Sequence, residues 1–559
     1  MLRRPGLTPI LIVIVGFLTV CPVFMLILGS FSKGLGSFGV FTVQKYVEAY
    51  SDPALTEILI NTMIFTLGAA VTATMLAFFL AYMNTRTNIP FKFIFGIISI
   101  IPMMIPHILF AVSWVLLLNP SNGMLNRFFM MLFGMKGTLF NIYSLPGMIL
   151  VEGLLDLPIA YLILAPAMNA FDATLEESSK VCGASALRTL TRITLPVLRP
   201  AILASVILVI VRSLASFAVP SIIGMPGRKY VLSTYIYRTI STGFAADYGK
   251  AAAIGMSALA ASIVLIFLYR YLTSESSKYV TVSGRGFKPS LIDLKRSRYP
   301  FSAVVGLLSF VLIVLPVLVL FYTSMLPYVM VPGAKAFSMM SWKNWIEVLK
   351  DPVSLLAIRN SLTLGIVGAT LGVILSIFVS YVIVRVRTVA SGFLESLSFL
   401  SFSFPGIVIG VGFMWFFVRT PLYATLSALL IGYIATYLPY GIKPISSAFV
   451  QIHENLEESA RVCGASPFYA MRRIVIPLLI PGIISGWILM STMFVRELSL
   501  SVVLSRPGTE VLAVQILRFA EDGLWGRLSA LGIIMIFFSS AMVIGASLVG
   551  RKLTRMRAL

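Results

Sequence analysis

Long stretches without any charged residue constrain this chain more than any other feature. One of them, residues 58–83, runs for 26 residues without Asp, Glu, Lys or Arg. As an α-helix it would be about 39 Å long, which exceeds the roughly 30 Å of a bilayer's hydrocarbon core. The chain is also 58% hydrophobic and only 11% charged, far from the composition of soluble proteins. The sequence therefore predicts an all-α polytopic membrane protein.

Hydropathy divides the chain into twelve predicted membrane-spanning helices. The spans lie near residues 8–30, 58–83, 93–118, 146–168, 200–223, 251–271, 301–325, 358–384, 393–418, 424–447, 481–504 and 528–549. The first span has the basic start of a signal peptide, but its apolar run of about 20 residues is too long and no small-residue cleavage site follows. We therefore expect it to remain as an uncleaved helix.

The net charge of +22 could indicate a nucleic-acid partner, so the placement of the basic residues matters. When both termini are placed inside, the larger share of Lys and Arg falls in the inner segments, as the positive-inside rule requires. The densest clusters are residues 285–298, in a polar linker, and residues 551–557, near the C-terminus. Membrane orientation accounts for these charges, so the sequence predicts cytoplasmic termini and no nucleic-acid binding.

The chain contains an internal repeat. Residues 176–196 and 457–477, which are 281 positions apart, share 11 identities in 21. With an offset of 299, upstream positions also match, for example Pro106 with Pro405. Each half therefore carries six spans in the same order, and an even number of spans keeps both halves in the same orientation. The predicted architecture is a parallel repeat of six-helix units, related by an axis along the membrane normal.

The repeat also gives the predicted domain boundaries. Residues 1–271 form a first six-helix unit, residues 272–300 form a basic cytoplasmic linker, and residues 301–559 form a second six-helix unit. A pseudo-dimer of this kind places a transport pathway naturally between its halves. Symmetry alone does not establish transport.

The repeated phrase reads EESSKVCGAS at residues 176–185 and EESARVCGAS at residues 457–466. In each copy a capping residue, Thr174 or Asn455, stands three positions before a glutamate, which is the spacing of a capping box. This spacing predicts that a short helix begins at each of these residues.

A glycine then predicts the end of that helix in both copies. Gly183 and Gly464 stand where a helix commonly ends with a left-handed residue. Ser185 and Ser466 suit the N-cap of a second helix, which we expect to run for about ten residues. The resulting hairpin could be an inert interfacial loop, or it could be a docking site. Its retention in both halves favours docking.

The pattern E-[SA]-[SA]-x3-G-x9-I-x-[LI]-P, found at residues 177–196 and 458–477, resembles the EAA loop of permeases from binding-protein-dependent ABC importers. In that family the loop forms the coupling helix that docks on the ATP-binding subunit. The usual Glu-Ala-Ala becomes Glu177-Ser-Ser and Glu458-Ser-Ala, which keeps the small residues. The resemblance implies ATPase-coupling roles for Glu176, Glu177, Gly183, Ala184, Ser185, Glu457, Glu458, Gly464, Ala465 and Ser466.

The resemblance covers nearly the whole chain and implies the type I ABC importer permease fold. Two fused units resemble the iron(III)-type subfamily, so we expect a bacterial inner-membrane permease for iron(III), with phosphonate, thiamine or polyamine as alternatives. The chain lacks a G-x4-G-K-[ST] motif, so ATP and Mg are expected on two separate ATP-binding subunits, with no cofactor on this chain. The other expected partners are an external substrate-binding protein and membrane lipid.

Ionisable residues within the predicted spans are a second group of candidates, because charge inside a membrane is costly. They are Arg212, Arg496, Glu497, Asp156 and Glu152. One interpretation is that they line or gate a central pathway for the solute. The alternative is that the arginines form structural ion pairs with the carboxylates.

Two other classes of protein compete with an ATP-driven importer. An ion-coupled secondary carrier also uses twelve spans and repeated halves, but it needs no docking loop for an ATPase. An integral-membrane enzyme would need a convergent set of His, Asp or Glu near one interface. The chain has two histidines and three cysteines, from which no metal cluster is expected. We therefore expect a transport subunit with no catalytic residues.

Overall fold

The computed structural model describes residues 7–35, 40–99, 101–134, 137–170, 174–241, 246–274 and 291–558. Part of the predicted basic linker, residues 275–290, lies outside this range. The described residues fold into α-helices joined by short turns, with short 3₁₀ and π segments.

The first half contains twelve described helices. They are α1 (Leu7–Ser30), α2 (Gln44–Tyr50), α3 (Pro53–Arg86), α4 (Lys92–Ile98), α5 (His107–Leu118), α6 (Met124–Phe133), α7 (Leu145–Ala170), α8 (Thr174–Val181), α9 (Ala186–Thr189), α10 (Leu195–Ala215), α11 (Leu232–Ser241) and α12 (Tyr248–Ser274).

The second half contains fifteen described helices. Its helices are α13 (Arg298–Ser309), α14 (Leu315–Ser324), α15 (Ala334–Ser338), α16 (Lys343–Lys350), α17 (Pro352–Thr363), α18 (Ala369–Tyr381), α19 (Val389–Phe399), α20 (Gly406–Phe417), α21 (Leu426–Gln451), α22 (Asn455–Val462), α23 (Pro467–Ala470), α24 (Ile476–Val495), α25 (Ser501–Leu504), α26 (Leu512–Glu521) and α27 (Trp525–Ala558).

Among the described residues, nine helices are long and apolar enough to cross a membrane, and each corresponds to one of the twelve predicted spans. The tenth predicted span is α21, a 26-residue helix that carries Pro439 and Pro444 inside it. The polytopic all-α fold is therefore as predicted. The third and ninth spans differ from the prediction.

The predicted third and ninth spans are each broken near their middle. The third consists of α4, the 3₁₀ segment Ile101–Met104 and α5, and the ninth consists of α19, the 3₁₀ segment Leu400–Ser403 and α20. The breaks fall at Pro106 and Pro405, which have extended ψ angles of 132° and 134°. Because proline disfavours helical geometry in the preceding residue, a continuous helix was the wrong prediction at both places.

Three π-helical segments each end two residues before a proline. They are Leu190–Thr194 before Pro196, Phe310–Val314 before Pro316 and Met471–Val475 before Pro477. The ring of a helical proline clashes with the carbonyl four residues earlier, and in all three cases that carbonyl lies in the π segment. The wider π turn lets the helix continue through the proline.

The predicted fifth and eleventh spans end earlier than the hydropathy suggested. Helix α10 stops at Ala215 and α24 stops at Val495, and short segments follow, the π segment Pro220–Gly224 and α25. Ser216 has an extended ψ of 134°. Arg496, with φ of −101° and ψ of 4°, no longer has α-helical geometry. The helix ends place two predicted pathway residues, Arg496 and Glu497, at a break rather than inside a span.

Two compact units build the structure. The first contains residues 1–52, 236–259 and 343–559, and the second contains residues 53–235 and 260–342. In the first unit, α1 packs on α20 and α19, while α21 packs on α24 and α18. In the second, α3 packs along α7, α10 packs on both, and α14 packs on α5.

Each compact unit therefore includes the first span of the other sequence half. The predicted boundaries at residues 271 and 301 follow the sequence duplication, and as domain boundaries they stay a prediction. Within the first compact unit, α1 approaches α20 closely at a small residue. A side chain at Gly412 in α20 would overlap the carbonyl oxygen of Pro22 in α1. Such close backbone approach is typical of packing between membrane helices.

The last part of the predicted linker is attached to the end of α3. The Ile292 N–H donates to the Arg86 carbonyl at 2.8 Å, and the Asn88 side-chain amide donates to Asp293 Oδ1 at 2.6 Å. The backbone N–H of Lys295 and the amide of Asn88 lower the pKa of Asp293. This contact brings the end of the predicted linker next to Arg86.

Candidate functional site

The two repeated phrases fold into the same local structure. We name residues 174–196 the first loop and residues 455–477 the second loop. Each consists of an eight-residue helix, α8 or α22, a glycine turn, and a second helical arm that begins with α9 or α23. The first loop lies in the second compact unit and the second loop lies in the first.

The glycine turns have the predicted conformation. Gly183 has φ of +77° and Gly464 has φ of +83°, a region that side chains other than glycine rarely adopt. After each turn the next residue donates its backbone N–H five residues back, from Ala184 to Ser179 and from Ala465 to Ala460, at 3.0 and 2.9 Å. The turn closes each short helix, as a left-handed C-cap does.

Serine caps the second arm in both loops. Ser185 Oγ accepts from the Arg188 N–H at 3.3 Å, and Ser466 Oγ accepts from the Tyr469 N–H at 3.2 Å. The predicted caps therefore form. The predicted length of the second arm was wrong, because each arm continues through a π segment into α10 or α24. The second arm and the following span are one structural element.

The predicted cap at the start of the second loop was also wrong. Asn455 is the first helical residue, and the N-cap is Glu454, which makes no side-chain capping bond. The neighbouring Glu457 carboxylate is engaged by Arg385, whose Nε donates to Oε1 at 3.0 Å. In the first loop, residues 171–173 before Thr174 lie outside the described residues.

A buried arginine stands at the base of each loop, and the sequence reasoning missed it. Arg86, at the end of α3, and Arg385, in the equivalent position 299 residues later, are only 1% and 8% exposed. Arg86 Nη2 lies 3.8 Å from Glu176 Oε2, and Arg385 pairs with Glu457. The retained arginine at the 299-residue offset was the available signal. The pair joins the second or eighth span to the loop.

The surroundings of the two ion pairs differ in detail. Thr194 Oγ1 donates to Glu176 Oε1 at 2.7 Å in the first loop. In the second loop Arg385 also donates to the Ile452 carbonyl at 2.7 Å, and its Nη1 lies 3.6 Å from Glu454 Oε1. Buried charges persist when they are paired and hydrogen-bonded. In the second loop both charges meet that requirement, and in the first loop Thr194 provides a hydrogen bond to the carboxylate of Glu176.

The outer surface of each loop is apolar and exposed. Val181 and Val462 occupy equivalent positions and are 88% and 87% exposed, while Leu187 and Phe468 are 70% and 71% exposed. Glu177 and Glu458 are exposed too, unlike the buried Glu176 and Glu457. An apolar surface retained at matching positions, next to acidic residues, is typical of an interaction site.

The predicted intramembrane charges of the first half come together in the second compact unit. Arg212 Nε lies 3.0 Å from Asp156 Oδ1, and Ser213 Oγ donates to Asp156 Oδ2 at 3.3 Å. Ser216 Oγ donates to Glu152 Oε2 at 2.9 Å. Arg212 therefore makes the ion pair that the structural alternative requires, and its role in a pathway stays a prediction.

In the second half a similar contact has its acid on the other helix. Glu497 accepts from Tyr437 Oη and, through Oε1, from the Leu500 N–H at 2.7 Å. Tyr437 stands at the position equivalent to Asp156, and Glu497 at the position equivalent to Ser216, both 281 residues later. Arg496 donates to Met493 Sδ at 2.9 Å. Each half therefore has a carboxylate–hydroxyl contact here, but not between the same pair of equivalent positions.

Within the described ranges, no group of three or more His, Cys, Asp or Glu residues comes close enough together to hold a metal ion. Asp156, Glu152 and Glu497 are engaged by the serine, tyrosine and arginine partners described above. The arrangement of these groups can couple helices to one another.

Comparison with known proteins places these loops and spans in a family context. The family model described as "Binding-protein-dependent transport system inner membrane component" matches residues 53–277 and 368–555. The two matches together include most of the chain, and each contains one of the two loops.

Individual relatives are similar over different lengths. The chain is 27% identical over 546 residues to the ferric transport system permease protein FbpB of Actinobacillus pleuropneumoniae, covering 96% of this chain and 76% of that protein. It is 23% identical to the Fe(3+)-transport system permease protein FbpB 2 of Haemophilus influenzae, covering 97% and 98%. It is 26% identical to the spermidine/putrescine transport system permease protein PotC of Escherichia coli K12, covering 38% and 81%.

Removing one base arginine should loosen its loop. Arg385→Met leaves Glu457 buried without its guanidinium, a change that costs about 3–5 kcal/mol for buried pairs. We expect faster hydrogen–deuterium exchange in residues 455–464, measured by mass spectrometry on the purified protein. Arg387→Met is the matched control, since Arg387 is 72% exposed and contacts only the partly exposed Glu454 among acidic groups of the described chain.

A second variant separates the ion pair from general damage. Arg385→Met combined with Glu457→Leu removes both charges, so exchange in residues 455–464 should return toward the wild-type rate. Equal exchange in wild type and Arg385→Met would show that the pair does not hold the loop.

The structural role of Arg212 gives a separate prediction. Arg212→Met leaves Asp156 buried without a cation, so the melting temperature of the purified protein should fall, in line with a cost of about 3–5 kcal/mol. Asp156→Asn in the same chain should restore it, together with solute uptake. A double variant of normal stability that transports nothing would instead place Arg212 in the pathway.

Proposed function

This chain belongs to the family of binding-protein-dependent transport system inner membrane components, and from that membership we propose that it forms the membrane pathway of an ATP-driven importer of ferric iron. The chain is a multi-pass permease component with nine apolar helices of spanning length among its described residues. The observation that carries the proposal is the duplicated loop, since each copy presents the same exposed apolar positions beside a glycine turn.

Each loop is proposed to be the docking site of one ATP-binding subunit. The exposed Val181 and Val462 side chains would enter an apolar groove on that subunit, and burying such a side chain stabilises a contact by about 1.5–3 kcal/mol. Because each second arm continues into α10 or α24, movement of the docked loop is transmitted directly to a spanning helix. The ATP and Mg would be held by the partner subunits.

The base arginines give the transmission a second connection. Arg86 lies at the end of α3 and Arg385 follows α18, and each pairs with a loop glutamate. A loop displaced by ATP binding would therefore move two spans. One is the span that carries the paired arginine, and the other is the span into which the loop continues. Such rigid connection suits alternating access, in which a pathway opens first outward and then inward.

Ferric iron is the solute that the relatives favour. The two ferric permeases align over 96% and 97% of this chain, whereas the spermidine/putrescine permease aligns over 38% of it. The fused two-unit architecture is thus the feature shared with the ferric proteins. Iron would be delivered by an external binding protein and released at the side that carries the loops, with both termini on that cytoplasmic side. A polyamine is also a candidate, because the spermidine/putrescine permease is similar to part of this chain. It ranks second, because that alignment is shorter.

Reconstitution tests the proposal directly. The chain and its ATP-binding subunits are placed in proteoliposomes, and ATP hydrolysis and ⁵⁵Fe accumulation are measured with an iron-loaded or spermidine-loaded binding protein. We expect both rates to rise with iron and not with spermidine. Uptake driven by a proton or sodium gradient without ATP would contradict the proposal in favour of a secondary carrier.

A glycine variant tests the part played by the loops. Valine at Gly183 and Gly464 strains each turn by about 1–3 kcal/mol, because a β-branched residue disfavours positive φ. Iron-stimulated ATP hydrolysis should fall about tenfold, as 1.4 kcal/mol corresponds to a factor of ten. Gly392→Val is the matched control, because Gly392 has open space around it and no positive φ. Full stimulation in the double valine variant would contradict coupling through the loops.

A further inference from the structure

A polar cavity of 510 Å³ lies in the first compact unit, away from the second loop. Helix α24 leaves that loop and runs for 20 residues, about 30 Å, before α25 contributes to the cavity wall. Helices α11, α12 and α26 and the turn before α21 complete the wall. The volume is within the range of small-molecule sites.

Arg506 is held rigidly at this cavity. Its Nη1 donates to the carbonyls of Val503 and Ser505 at 3.0 and 2.7 Å. Its Nη2 donates to Tyr248 Oη at 2.9 Å, and its Nε donates to Tyr423 Oη at 3.2 Å. A guanidinium fixed by several hydrogen bonds loses little further entropy when a ligand binds.

Tyr248 and Tyr423 both line the cavity and both accept a hydrogen bond from Arg506. Each hydroxyl accepts a hydrogen bond from the guanidinium, so its own hydrogen must point elsewhere. Within the described part of the chain, neither Tyr248 nor Tyr423 has an acceptor for that hydrogen. A hydroxyl that accepts from a cation is a stronger donor, because hydrogen bonds in a chain polarise one another.

The other charged groups of the cavity already have partners. Arg518 Nη1 lies 3.5 Å from Glu510 Oε1, and Tyr237 Oη donates to Glu521 Oε1 at 3.3 Å. Burial and the nearby Glu521 raise the pKa of Tyr237 to about 12, so this phenol stays protonated. Arg506, in contrast, contacts no carboxylate in the described ranges. Arg506 is therefore a cation without a carboxylate contact among the described residues, next to two hydroxyls whose hydrogens have no acceptor there, while Glu521 is the carboxylate that lines the same cavity.

From this geometry we infer that the cavity binds a small oxyanion, through the Tyr248 and Tyr423 hydroxyls and the charge of Arg506. A phosphate or carboxylate group offers the two acceptor oxygens and the negative charge that these groups lack. The site lies apart from the second loop of the same compact unit, at the other end of α24. It requires neither ATP nor iron, so it is independent of the proposed function.

The sequence repeat supports a dedicated site rather than a structural arginine. The position equivalent to Arg506 in the first half is Met225, which precedes the same Pro-Gly dipeptide. A turn forms at both positions, and in the first half it forms with methionine in place of arginine. Arg506→Met is accordingly the substitution most compatible with folding.

Binding of inorganic phosphate to the purified full chain in phosphatidylcholine nanodiscs tests the site, with ³¹P saturation-transfer NMR as readout. Wild type should bind saturably. Arg506→Met should weaken binding about 10- to 100-fold, as expected for loss of a charge-assisted contact. The variant Y248F/Y423F, which keeps the arginine, should weaken it about tenfold. Tyr237→Phe is the matched control and should change affinity less than threefold, since that hydroxyl is already committed to Glu521.

Nanodiscs that contain phosphatidylglycerol distinguish a lipid phosphate from a free anion. If phosphatidylglycerol occupies the site, phosphate binding is lost in these discs, and this loss is seen only in chains that keep Arg506. That result identifies a lipid headgroup as the occupant. Unchanged binding identifies a diffusible anion, and both results support the oxyanion site. Phosphate affinity that is equal in wild type, Arg506→Met and Y248F/Y423F would overturn it, as would an equal loss in Tyr237→Phe.

Discussion

The buried contact between an arginine and a glutamate ties each loop to a membrane helix, and the rest of the structure depends on it. Neither Arg86 nor Arg385 reaches water to any extent, so each needs its carboxylate. The glutamate is in turn held in the loop helix, immediately before the exposed glutamate of the EAA-like pattern. A loop secured in this way cannot move without moving the span or breaking an ion pair, and breaking a buried pair is costly. Rigid transmission follows from that cost.

The two halves make the same kind of polar contact between different positions. Glu152 and Asp156 project from α7 in the first half, whereas Glu497 supplies the acid from the end of α24 in the second. In both cases a carboxylate meets a hydroxyl across two helices. Inside a membrane an unsatisfied polar group is expensive, so the pairing is retained even when the partners change sides. A carboxylate–hydroxyl contact of this kind occurs in both halves, although its positions differ.

Sequence reasoning reached those features that depend on local chemistry. The turns at Gly183 and Gly464 follow from the backbone freedom of glycine, and the serine caps follow from a hydroxyl beside free N–H groups. The breaks at Pro106 and Pro405 were also within reach, because proline restricts the residue before it. A hydropathy pattern does not detect these breaks, because the residues on both sides of each proline are equally apolar.

Long-range features were beyond the same reasoning. Arg86 and Glu176 are 90 positions apart in sequence, and without a structure a lone arginine at the end of a span reads as a simple membrane anchor. The packing of α1 on α20 has no local signature either, because an apolar helix can bury its face against many partners. The cavity at Arg506 combines residues from separate turns and helices, which only the tertiary fold brings together.

Two native cysteines allow the most direct test of coupling through the loops. Cys182 and Cys463 are exposed and immediately precede the turn glycines, while Cys21 in α1 can be replaced by serine. The measurement is the rate at which a membrane-impermeant maleimide labels these cysteines in inside-out vesicles and in intact cells. Rapid labelling in inside-out vesicles only, slowed when the ATP-binding subunit is added, is the predicted result. Labelling from the external face, or a rate that the ATP-binding subunit leaves unchanged, would contradict docking at the loops.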